Sequence, residues 1–216
     1  MSKEYWKPGN MLYPVPAVMV SCGREGETPD IITVAWAGTI CSDPAMVSIS
    51  VRKERFSHSI IRDTGEFVIN LVNKRLVRAT DYCGVKSGRE VDKFKETRLT
   101  PQASRYVKAP GVEESPVNIE CKVVEVKELG SHDMFIAKVM GVTVDERYMN
   151  DKGKFNLNAS GLVTYSHGEY FELGKRLGSF GYSVKRPAEK RGPGNRGAKT
   201  SGASSGAGKK SRRTKG

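Results

Sequence analysis

The sequence predicts a mainly β domain with helical insertions, arranged as a β-barrel with added helices. The first observation is a series of short apolar segments bounded by turn residues, which is typical of strands. The second is residues 46–52, where apolar and polar side chains alternate as in a strand with one buried face. The third is that the helical signals fall between these segments, so the helices are expected to be insertions into a β structure.

Seven segments are predicted as strands because each is apolar or alternating and ends at turn residues. In residues 117–123 the alternation slips by one position at Val123–Val124, which predicts a β-bulge. The predicted strands are 15–22, 31–40, 46–52, 67–72, 117–123, 135–144 and a last short β segment over 161–171.

Three helices are predicted from capping signals. Ser57 is expected to N-cap a short helix that Gly65 ends in a left-handed conformation. Asn73 is expected to cap a helix over residues 74–83. Residues 87–90 have the spacing of a capping box that would open the third helix.

The positive charge of the chain is concentrated at its C-terminal end. Of the formal charge of +12 on 216 residues, residues 185–216 carry +10, from eleven Lys or Arg and one acid, Glu189. This segment has few side chains that could drive burial, so it is predicted to be a disordered basic tail, and residues 1–184 are predicted to be the folded domain.

Several functional classes are excluded by composition. The longest apolar stretch, residues 11–20, is too short to span a bilayer and contains Pro14 and Pro16. The N-terminus lacks the apolar core of a signal peptide, so we expect a cytoplasmic protein without a membrane partner. The four cysteines form no C-x-x-C pair and the three histidines have no short ligand spacing, so reduced thiols and no metal site are expected.

The best local candidate for a binding site is the basic turn at residues 50–58. A strand ends here and a helix begins, and the N–H groups of a helix start can donate to a phosphate. Arg52, Lys53 and Arg55 add positive charge, and Ser57 adds a hydroxyl donor. The alternative is a solvated basic turn beside an ordinary N-cap.

Two further features have both a functional and a structural explanation. Residues 36–41 combine Trp36 with small side chains that would let a flat ring approach the backbone, although core packing alone also explains this tryptophan. His132 follows a Gly-Ser turn between two predicted strands, where its imidazole would face either a ligand or solvent.

Taken together and in order, these segments resemble the flavin reductase-like FMN-binding family, in particular its flavoredoxin-like members. The resemblance covers roughly residues 8–184, and five motifs in register make it specific. The matching blocks are 33–44, 47–52 with 56–58, 65–70, 81–94, and 130–136 with 170–174.

The resemblance implies a split β-barrel that binds FMN non-covalently and forms a homodimer, with the flavin close to the dimer interface. It implies cofactor-binding roles for twelve residues and a proton-handling catalytic role for His132. The cofactor-binding residues are Trp36, Ala37, Gly38, Thr39 and Cys41 along the flavin ring edge, Ser50, Val51, Arg52 and Ser57 around the phosphate, and Gly84, Val85 and Lys93 completing the site. Asp30 departs from the pattern, because relatives commonly have asparagine there and a carboxylate cannot donate as an amide does.

The implied function is FMN-dependent electron transfer, with NADH or NADPH as the possible electron donor and free flavin or a redox protein as the acceptor. The alternative from another class is a non-catalytic binding protein whose basic tail contacts nucleic acid or another polyanion through nonspecific charge interactions.

Overall fold

A computed structural model describes residues 1–184 of the chain, which fall into two units. The first unit is Met1–Lys175. The second begins at Arg176, and its described part contains a short 3-10 helix, Tyr182–Val184. The basic tail predicted over 185–216 lies outside the described residues.

The first unit is built from twelve strands and three α-helices. The strands are β1 Val15–Pro16, β2 Val18–Cys22, β3 Asp30–Val34, β4 Ala37–Ser42, β5 Ala45–Arg52, β6 Glu66–Leu71, β7 Pro101–Gln102, β8 Gly111–Val112, β9 Val117–Leu129, β10 His132–Val144, β11 Val163–Ser166 and β12 Glu169–Glu172. The helices are α1 Phe56–Thr64, α2 Val77–Val85 and α3 Lys93–Thr97, with 3-10 turns at Glu146–Tyr148 and Leu157–Ser160.

Seven strands form one antiparallel sheet in the order β3-β2-β6-β9-β10-β5-β4. Its two edge strands, β3 and β4, are consecutive in the chain and only Ala35 and Trp36 separate them. The Ser50 N–H donates to the Trp36 carbonyl at 2.8 Å, which extends the β4–β5 pairing up to this connection. The sheet therefore curls so that β3 and β4 approach each other at this two-residue connection without pairing, and the predicted mainly β fold with helical insertions is confirmed.

The barrel interior contains alternate apolar side chains from the sheet, including Val20, Ile49, Phe67 and Phe135, with Ile61 of α1 packed among them. Strands β2 and β3 are buried on both faces, which explains why their sequences are continuously apolar. A second cluster covers their outer face: it joins Met19 and Ile31 to side chains of α2, α3 and the loops, including Leu76, Cys83 and Phe94.

The structure confirms the predicted bulge and corrects two predicted strands. The β9–β10 register shifts between Ile136 and Ala137, whose partners are Glu125 and Val123, so Val124 is the extra residue. The segment 31–40 is two strands, because the chain turns between β3 and β4 at Ala35 and Trp36. The segment 161–171 is the β11–β12 hairpin, in which His167 and Gly168 both have positive φ.

Three of the predicted caps are wrong, while Gly65 ends α1 in the left-handed conformation with φ 67° as expected. Ser57 lies inside α1, whose N-cap is Arg55. Helix α2 begins at Val77, after a turn in which Asn73 Oδ1 accepts from the Arg75 N–H at 3.0 Å. Helix α3 begins at Lys93, and its cap is Asp92, whose carboxylate accepts from the Lys95 N–H at 3.1 Å.

Candidate functional site

A cavity of about 320 Å³ lies where α1 begins, bordered by the connection between α2 and α3. At Gly88 the chain passes so close that an added Cβ would lie 2.3 Å from Asp30 Oδ1 and 2.6 Å from the Phe56 ring, so only glycine fits. The cavity is lined by Ile32, Glu54, Arg55, Phe56, Ser57, Lys86, Ser87, Gly88, Arg89, Glu90 and Lys93.

The base of this cavity contains a buried ion pair. Asp30 and Lys93 have side-chain exposures of 2% and 3%, and Lys93 Nζ lies 3.0 Å from Asp30 Oδ1. The Ser57 hydroxyl donates to the other carboxylate oxygen, and the Lys93 ammonium also donates to the Ile31 carbonyl. Ser57 and Lys93, both predicted as cofactor-binding residues, are therefore joined through Asp30, which sequence reasoning had left out of the site.

Three cationic side chains make the cavity suited to an anion. Arg55, Lys86 and Arg89 line it together with Ser57. The Arg89 guanidinium lies 5.5 Å from the centre of the Phe56 ring and donates to the Glu54 carbonyl at 3.0 Å, so its position is fixed by two contacts. Sequence reasoning assigned no binding role to Arg89, because it interpreted residues 87–90 as a capping box.

Arg52 and His132 form a second group next to this cavity. They are directly paired across β5 and β10, and Arg52 Nη1 contacts Glu54 Oε1 at 2.9 Å, where Glu54 lines the cavity. Partial burial, reinforced by the Arg52 charge, lowers the pKa of the His132 imidazole below its ordinary value. The imidazole is therefore neutral at pH 7, with Nδ1 2.8 Å from the Ser131 hydroxyl.

The segment from Trp36 to Cys41 lies along the edge strand β4. Strand β4 pairs with β5 only among the described strands, so its other edge is available to a flat ligand. Gly38 and Thr39 are exposed there, while Ala37 and Cys41 are half-buried and the Cys41 thiol donates to the Asp43 carbonyl at 3.4 Å. The Trp36 ring lies 6.1 Å from that of Tyr13.

The remaining predicted residues differ in what they can contribute. Ser50 is half-buried on β5, with its N–H bonded to the Trp36 carbonyl. The Val51 side chain is 1% exposed in the barrel core, so only its backbone can face a ligand. Gly84 packs closely against Thr33, where an added Cβ would lie 3.2 Å from Thr33 Cβ. Val85 is 70% exposed at the end of α2.

Two further observations concern residues 1–184. In that part of the chain no helix is both long and apolar enough to cross a membrane. The same residues contain no group of three or more His, Cys, Asp or Glu placed to bind a metal ion.

Comparison with known proteins gives a consistent result. The family model described as "Flavin reductase like domain" matches residues 10–174. An uncharacterised protein of Pyrococcus abyssi is 32% identical over 160 residues, covering 74% of this chain and 91% of that protein. The solved structure of flavoredoxin from Desulfovibrio vulgaris (Miyazaki F) has a TM-score of 0.79 and 33% identity, covering 85% of this chain and 100% of that chain.

A more distant structure shares the fold. An FMN-binding protein from Thermus thermophilus has a TM-score of 0.69 at 22% identity, and the match covers 82% of this chain and 99% of that chain.

Proposed function

The chain belongs to the flavin reductase-like domain family, and we propose on that basis that it is an FMN-dependent oxidoreductase. It transfers electrons either from NADH or NADPH to a flavin or between redox proteins, as a flavoredoxin-like carrier. The observation that carries the proposal is the cavity at the start of α1, where Arg55, Lys86 and Arg89 lie together.

The residues present fit FMN in two respects. The side chains of Arg55, Lys86 and Arg89 match a phosphate monoester, which prefers cations and above all the fork of an arginine guanidinium. The absence of a side chain at Gly88 lets the connection between α2 and α3 pack directly against Asp30 and Phe56, which fixes this wall of the cavity. We place the phosphate at this cavity and the ring along β4, with Gly84 and Val85 at the end of α2 nearby.

Bound FMN would supply the electron chemistry, and the protein groups would hold it and adjust its environment. Arg52, Arg55 and Arg89 bind and orient the phosphate. Unpaired backbone N–H groups on the edge of β4 stabilise negative charge at the ring edge. His132, neutral at pH 7 because of its lowered pKa, is the group that accepts a proton.

We also propose that the working form is a homodimer. Ile40 on edge strand β4 is 49% exposed and Val85 is 70% exposed, and both are apolar side chains near the proposed ring position. A second copy would cover them and exclude water from the ring. Sedimentation equilibrium of the full chain tests this, and a monomer at micromolar concentration with FMN bound would contradict it.

The function is tested by adding FMN, FAD or riboflavin to the purified chain and recording the flavin absorbance that stays with the protein. We expect FMN to be retained in preference to the other two. Anaerobic addition of NADH or NADPH then distinguishes the two modes: bleaching of the flavin identifies a reductase, and no bleaching with either donor identifies a carrier. A chain that retains no flavin contradicts the proposal.

A further inference from the structure

A second cavity, of about 730 Å³, lies between α2 and α3 and is lined by three arginines. They are Arg75 in the turn before α2, Arg78 in the first turn of α2 and Arg98 at the C-cap of α3. Its volume lies within the range of about 300–1,000 Å³ that is typical of small-molecule sites. None of its lining residues borders the cavity at α1.

These arginines have no partner among the described residues. Within residues 1–184 none of the three side chains forms an ion pair or a hydrogen bond, although many other surface arginines do, such as Arg24 with Asp63. The cavity also contains two carboxylates, Asp81 and Glu96, of which Asp81 accepts from the Tyr170 hydroxyl at 3.4 Å. The lining is therefore cationic, with three guanidinium groups that can bind an anion.

The backbone of Arg98 supports a role for this cavity. Arg98 has φ 55°, the left-handed conformation that usually belongs to glycine at the end of a helix. A non-glycine residue in this conformation is strained, and such strain is often found at functional positions. Here the strained residue places a third guanidinium in the cavity.

The cavity offers an aromatic ring as well as charge. Tyr82 lines it, and in the described part of the chain its ring and hydroxyl have no stacking or hydrogen-bond partner. A purine can stack on such a ring. Arg78 and Val85 are seven residues apart on α2, about 10 Å at a rise of about 1.5 Å per residue. A dinucleotide can span this distance, with its adenosine end at the arginines and its other end near Val85.

We propose that the three-arginine cavity binds the adenosine 2′-phosphate of NADPH, so that the chain prefers NADPH to NADH. The choice of ligand rests on the proposed function, whereas the anion site rests on the arginines alone. NADPH and NADH differ only in the 2′-phosphate, and a dianionic phosphate among unpaired guanidinium groups is the group that this lining selects.

The test is equilibrium binding of adenosine 2′,5′-bisphosphate, 5′-AMP and inorganic phosphate to the full chain by calorimetry. We expect the bisphosphate to bind at least tenfold more tightly than 5′-AMP. Arg78→Ala and Arg98→Gly should each remove most of this difference, while Glu96→Gln should tighten bisphosphate binding severalfold because it removes a negative charge. Lys95→Ala, which removes a cation from α3 outside the cavity, is the matched control and should change binding less than twofold.

Thermal unfolding shows whether a variant loses binding because it loses stability. Arg98→Gly relieves the strained backbone and should leave the melting temperature unchanged or raised. Equal affinities for the bisphosphate and 5′-AMP would overturn the proposal, as would binding of inorganic phosphate as tight as that of the bisphosphate. An equal loss in Lys95→Ala would also overturn it. FMN uptake is measured on the same samples. Bisphosphate selectivity without FMN uptake supports the anion site and contradicts the proposed function. FMN uptake without selectivity supports the proposed function and contradicts the anion site.

Discussion

Asp30 is a buried carboxylate, and the structure shows why its charge is tolerated. Lys93, buried beside it, neutralises it, and the Ser57 hydroxyl donates to it. Removing one member of a buried pair leaves an uncompensated charge. Lys93→Met should therefore lower the free energy of unfolding by about 3–5 kcal/mol in urea denaturation. The double variant Asp30→Asn with Lys93→Met should recover much of this loss, and a single-variant cost below about 1 kcal/mol would show that the pair is not structurally important.

Arg89 allows a residue-level test of where the flavin phosphate binds. Arg89→Ala should weaken FMN binding about tenfold, or about 1.4 kcal/mol, and leave riboflavin binding unchanged, because only FMN carries the phosphate. Arg105→Ala is the matched control, since the Arg105 guanidinium lies 5.4 Å from the Tyr106 ring in the same kind of contact but does not line the cavity. Fluorescence titration measures both ligands, and an equal loss for FMN and riboflavin would rule out a phosphate contact.

At the level of elements, the sequence predicted the strands better than the starts of the helices. The alternation of β5 and the bulge of β9 could be predicted because these strands bury one face, so side-chain polarity follows the pleat. The caps could not, since the polar side chains chosen as caps have other partners: the Ser57 hydroxyl donates to Asp30, 27 residues earlier in the chain. For the same reason the ion pair beneath the cavity could not be predicted, because only the fold brings Asp30 and Lys93 together.

Helix α1 is attached to the β9–β10 hairpin through His58 and Asp133, and this contact makes stability depend on pH. His58 Nε2 lies 2.8 Å from Asp133 Oδ2, and Lys53, Arg62 and Glu128 surround the pair. Burial opposes ionisation of Asp133, but the hydrogen bonds from His58 and Lys53 outweigh it and hold the pKa of this carboxyl below its ordinary value. Its stabilising contribution is thus complete above the unfolded-state pKa and is lost as pH falls through the lowered folded-state pKa.

Asp133→Asn should therefore be less stable than the wild type at pH 7, by about 1–3 kcal/mol, and the gap should shrink as pH falls below about 4. Urea denaturation between pH 3 and pH 7 measures the difference in the free energy of unfolding. Asp151→Asn, which changes an exposed acid, is the control and should follow the wild type at every pH. A gap that stays constant down to pH 3 would assign the effect to packing and not to charge.

At the level of the whole molecule, the formal charge of +12 divides between two parts with different expected partners. Residues 185–216 carry +10 of it and residues 1–184 only +2. Within the described residues, anion binding therefore depends on local surpluses of positive charge, such as the cations at the start of α1, and not on net charge. Polyanion binding would depend on the 32-residue basic segment, since counterion release scales with the number of phosphates neutralised.

We propose that flavin binding and polyanion binding can be separated by removing that segment. A chain ending at Val184 should retain FMN with unchanged affinity, because every residue assigned to the flavin site precedes residue 185. It should also lose most of any affinity for double-stranded DNA or heparin, and the full chain's affinity for these should fall steeply between 50 mM and 200 mM salt. Flavin absorbance and fluorescence anisotropy of labelled DNA measure the two activities on the same samples. Loss of FMN binding on truncation would place part of the flavin site in residues 185–216, whereas DNA binding that survives truncation would assign it to the folded domain.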